Sequence, residues 1–88
     1  MQQNSFLLFP KRHFETQDLA TACVLMYRGF KLLTTPKDPI APSVIHYVFI
    51  KKDGIEDACI FNKQEFTNTT LESLRGIAKE LVVRVKKN

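Results

Sequence analysis

The segment Asp18-Leu-Ala-Thr-Ala-Cys-Val-Leu-Met-Tyr-Arg-Gly-Phe30 places the tightest constraint on the fold. Leu19, Cys23, Met26 and Phe30 recur at i, i+4, i+7 and i+11, one face of a helix. Ala20, Ala22, Val24, Leu25 and Tyr27 widen that face until most of the helix is apolar. A helix apolar nearly all round has to be covered on more than one side. In a chain of 88 residues, enough for one domain, it therefore belongs at the centre of the core. The spacing predicts a helix from about Thr16 to Arg28, with Thr16 as its N-cap and Asp18 suited to the positive end of its dipole. Gly29 follows as a left-handed C-cap, with Phe30 folding back onto the last turn.

The rest of the chain supplies the cover. Val44-Ile-His-Tyr-Val-Phe-Ile50 is rich in β-branched and aromatic residues and apolar on both faces, which predicts a central strand. Lys31 to Thr35 suits a short strand, and Pro36, Pro39 and Pro42 make the stretch after it a stiff loop. Lys11-Arg12-His13 reads as a basic connector, and Lys51-Lys52-Asp53-Gly54 as a turn. Ile55 to Asn62 fits a short helix with Glu56 and Asp57 in its first turn; Asp-Gly before it keeps a hairpin strand open as the alternative. Thr69 and Glu72 form a capping-box pattern before a final helix, Leu71 to about Val85. Its apolar stripe is Leu71, Leu74, Ile77, Ala78, Leu81, Val82 and Val85, while Gly76 lies outside it. The expected architecture is α+β: a small antiparallel sheet of two or three strands packed by two main helices, about 16–28 and 71–85, and a short third at about 55–62. One compact domain spans 1–88, with 1–10 as a strand or arm.

Composition and motifs exclude more chemistry than they suggest. His13 and His46 are not spaced from a second His, Cys or Glu as zinc sites require. His46, amid apolar strand residues, fits a hydrogen-bonded structural histidine better than a ligand or base. Cys23 and Cys59 fall in apolar surroundings and read as buried free thiols, not activated nucleophiles. The serines lack a Gly-x-Ser-x-Gly elbow, and three glycines cannot build a phosphate-binding loop. No enzyme, metal, cofactor or small-molecule substrate is expected. The longest apolar run, Ala22 to Tyr27, falls far short of a membrane span, and the start lacks the pattern of a secretory signal, so a cytoplasmic protein is expected.

Two features point outward. Thirteen Lys and Arg against nine Asp and Glu give a formal charge of +4. At about 100° per residue, Arg75, Lys79 and Lys86 fall within about 40° of one another, and Lys87 continues the charge. Such a stripe suits a phosphate backbone. The opposing observations are that the charge is not segregated between the two halves of the chain and that Glu80–Arg84 is a favourable i, i+4 pair. The second feature is Phe6-Leu7-Leu8-Phe9, an apolar segment outside the main unit, suited either to pairing as an edge strand within its own fold or to contact with a second copy or another protein. A non-enzymatic accessory protein acting by protein contact or self-association is the leading expectation; nucleic-acid binding through the basic stripe is the alternative.

Phe14-x-Thr16-x-Asp18-Leu19-Ala20, Gly29-Phe30-x-Leu32 and the Tyr47-Val48-Phe49 strand also resemble a family of short bacterial and phage-type domains of unknown function. Tyr47 stands where the family pattern has Phe, and the three-proline loop is longer. The resemblance spans roughly residues 14–85. It implies a compact α+β unit often encoded on mobile elements, and it supplies no catalytic or binding residue.

Overall fold

The structure, a computed structural model, describes residues 12–87. The expected strand or arm at residues 1–10 lies outside the described residues. Those described form β1 (His13–Thr16), α1 (Leu19–Tyr27), β2 (Leu32–Thr34), β3 (Tyr47–Ile50), α2 (Ile55–Ala58), a 3₁₀ turn (Lys63–Glu65) and α3 (Asn68–Lys86). The protein is α+β. The sheet order is β1-β3-β2, with β3 antiparallel to both neighbours. β1 and β2 are thus parallel edges joined through α1, and the last strand in sequence fills the gap between them.

His13 is not part of a connector but opens β1. The tetrapeptide His-Phe-Glu-Thr alternates, so Phe14 joins the core while Glu15 points to the other face. Thr16 ends this strand rather than capping the helix. Asp18 is the N-cap, accepting from Thr21 N–H at 3.0 Å, while Thr16 Oγ1 accepts from Asp18 N–H. The far end of α1 closes as expected. Gly29 takes φ 93°, its N–H donates to Met26 O, and Phe30 N–H reaches back to Leu25 O.

The central strand is shorter than its apolar run. Regular pairing covers Tyr47–Ile50, and the preceding residues pair instead with the proline loop: Lys37 bridges Ile45, and His46 N–H donates to Pro36 O. A register shift between Leu32 and Thr34 interrupts the β2 ladder, which pairs Leu32 with Phe49 and Thr34 with Val48. Ile55 to Asn62 resolves as helix for its first turn, Ile55–Ala58, entered through Gly54 at φ 88°.

The last helix begins earlier than predicted, at Asn68 with Thr67 as N-cap. Thr67 Oγ1 accepts from Thr70 N–H at 3.2 Å. Val82 is 46% exposed and lies outside the core stripe, a correction to the sequence reading. The core joins Ala22, Cys23 and Leu25 of α1 to Leu32, Tyr47, Phe49, Ile55 and Leu81. All helices therefore contact the Tyr47/Phe49 side of the sheet. Glu15, His46 and Val48 occupy the reverse side.

Candidate functional site

Three surfaces or clusters carry side chains that could act outward. The first is a groove between α1 and α3, about 350 Å³, floored by Ala20, Cys23, Val24 and Ala78 and rimmed by Leu19 and Arg75. Phe61 and Phe66 close one end, their rings stacked at 5.9 Å and 20°. Local sequence explains this wall. Phe66 precedes the Thr67 cap, and Leu71 comes four residues after it; both line the groove, the placement of a hydrophobic staple. Close by along the chain, Ile60 is 77% exposed. The groove is apolar apart from the Arg75 rim.

The second is the outer side of α3. Arg75, Lys79, Lys86 and Lys87 are all exposed there. Arg75 turns toward the apolar groove, whereas Lys79 and Lys87 flank Val83 in a separate shallow depression. The stripe is therefore divided between two surfaces. The expected Glu80–Arg84 pair does not form among the described residues; the Arg84 guanidinium instead donates to Leu33 O on β2 at 3.3 Å. No ion pair among the described residues ties the four basic side chains to an acid.

The third cluster escaped the sequence reading except for one member. His46 has no exposed surface, and both of its ring nitrogens meet carboxylates: Nδ1 meets Glu15 Oε2 from β1, and Nε2 meets Asp38 Oδ2 at 3.0 Å from the proline loop. Asp38 is itself fixed by accepting from Ile40 and Ala41 N–H at 2.8 and 3.1 Å. Burial pulls the histidine toward its neutral form, yet the two carboxylates outweigh it and raise its pKa above the ordinary value. Asp38 is held below the usual carboxylate range, first by the His46 hydrogen bond and then by the two backbone N–H groups. A buried histidine has to be partnered, and this much was predictable. Which acids would be folded against it was not, since they lie 31 and 8 residues away.

The thiols carry no sign of activation. Burial, with the Asp18 charge, pushes Cys23 up; burial, then Glu56, raises Cys59, against a smaller lowering by Arg28. Both are free cysteines, and Cys59 Sγ donates to Ile55 O. Cys59 is only partly buried, less than expected. Among the described residues no His, Cys, Asp and Glu group is placed to hold a metal ion, and no helix is long and apolar enough to cross a membrane. Phe6, Leu7, Leu8 and Phe9 lie outside the described residues.

Comparison of the chain with protein-family models, curated proteins and solved structures found no match. The likeness to short bacterial and phage-type domains therefore rests on the sequence pattern alone.

Proposed function

We propose that the chain is a non-enzymatic binding protein that self-associates, with the Phe6–Phe9 segment of one copy seated in the α1/α3 groove of another. The observation that carries this is the apolar groove, walled by the stacked Phe61 and Phe66. The occupant is argued from chain length and chemistry. The Phe6–Phe9 segment stands three to six residues before Arg12, so at about 3.5 Å per extended residue it reaches about 10–20 Å from there. Its four apolar side chains suit an apolar groove, and a core this small gains from association. Light scattering should give about twice the 10.1 kDa chain mass, falling to one chain when residues 1–9 are removed. A monomer with the segment in place, or an assembly unaffected by the truncation, overturns the reading.

A second reading, binding to nucleic acid, is favoured by the absence of ion pairs at Arg75, Lys79, Lys86 and Lys87 among the described residues. Its affinity would be sequence-blind and steeply salt-dependent. Gel-shift retention at low salt, lost on Lys79→Glu with Lys86→Glu, supports it; no retention at low salt rejects it. Either reading suits a cytoplasmic accessory protein acting by occlusion or scaffolding.

A further inference from the structure

We propose that Glu15, His46 and Asp38 form a proton-operated clasp that ties β1 and the 35–45 segment to the start of β3. The geometry supplies the mechanism. An imidazole has two nitrogens, and each faces a carboxylate, an acceptor-only group when ionised. Both bonds form only when both nitrogens carry protons. Removing one proton sets a nitrogen lone pair against a carboxylate in a site with no solvent access at the histidine. One bond is then replaced by a repulsive contact, and burial prevents water from relieving it.

What the clasp holds is visible in the backbone. The 35–45 segment carries three prolines across a long return from β2 to β3. Asp38 N–H donates to Val44 O, His46 N–H to Pro36 O, and the Asp38 carboxylate caps Ile40 and Ala41. The segment's turn and its attachment to β3 therefore share one side chain. Asp38 and Thr35 are buried, whereas Ile40 is 82% exposed at the tip. Among the described residues, the ionisable groups facing the imidazole are Glu15 from β1 and Asp38 from the segment. His13 lies on the same face of β1 as Glu15, and Lys37 beside Asp38 is exposed. The helices pack on the opposite side of the sheet.

The pH window follows from the two directions. His46 is raised, so its contribution is fully present below the open-state value of 6.5 and is lost as pH rises through the clasped value. Asp38 is lowered, so its contribution is present above 3.8 and is lost as pH falls through its own clasped value. The clasp is closed between those limits and opens on the alkaline side by losing the His46 proton.

The test uses the full chain, with nitrogen-15 shifts of the imidazole and amide exchange normalised to intrinsic rates. At pH 6 both ring nitrogens should carry protons, and the His46 midpoint should lie above 6.5. Above 6.5, the opening constants read at the Asp38 and His46 amides should rise about tenfold per pH unit until that midpoint, then level off. The Phe30 amide, bonded within the helix cap, should not follow. Asp38→Asn keeps the turn acceptor and gives the imidazole a neutral partner, so midpoint and opening should both move down; Glu15→Gln should act in the same direction. A neutral single tautomer at pH 6, a midpoint at or below 6.5, or a raised midpoint without loss of protection in the segment overturns the proposal.

Discussion

Leu25 shows how much a single residue in this small core carries. It has no exposed surface, and its carbonyl also receives the Phe30 N–H that closes α1. Truncation leaves a cavity among side chains already fixed by sheet and helices, so Leu25→Ala should lower unfolding free energy by about 2–5 kcal/mol. Urea denaturation reads this directly, and a loss below about 1 kcal/mol would show that the site collapses around the deletion. Such an interior position is legible in sequence, because the surrounding apolar pattern demands burial. His46 is legible only in half. Its strand position called for hydrogen-bond partners, but those partners, Glu15 and Asp38, lie 31 and 8 residues away. Nothing local to either acid announces a histidine that the sheet brings to it.

Among elements, α3 offers the clearest experiment. Gly76 is exposed on its outer side, and an added Cβ would meet nothing within 4 Å. Among the described residues no second backbone approaches it. Gly76→Ala should therefore stabilise the protein by up to about 1 kcal/mol, seen as a higher urea midpoint with an unchanged slope. Destabilisation would point to a backbone contact made only in an assembly. Element boundaries were less legible than element types. Thr16 and Thr69 are acceptable N-caps by chemistry, but Asp18 and Thr67 hold those positions. Thr16 is committed to β1 by pairing with Tyr47. At α3, Thr67 places Phe66 and Leu71 together, so packing chose among neighbouring caps of similar strength.

At the scale of the whole molecule, the two outward-facing surfaces can be separated by mutation. Leu19 is 38% exposed on the groove rim at the first position of α1, where an acid complements the helix dipole. Leu19→Glu should keep the helical circular dichroism while abolishing self-association, and it should leave salt-dependent gel-shift behaviour to the Lys79/Lys86 side. An intact assembly in this variant would remove the groove from the proposed interface. The basic stripe was only partly legible. A helical wheel aligned Arg75, Lys79 and Lys86, but the approach of α1 places Arg75 beside the apolar groove and leaves Lys79 on another surface.

Local residue patterns set the kinds of element and their apolar faces. Helical periodicity, a β-branched run and a Gly29 cap are local properties, expressed through backbone sterics and burial over a few residues. Only long-range packing decided how far the central strand pairs, where Thr16 and His13 belong, and which acids close on His46. Those outcomes depend on residues far apart in the chain competing for the same partners, and the chain pays for each only when the whole core assembles. The central all-round apolar helix fixed the need for cover; the path of β3 between β1 and β2 fixed what that cover is.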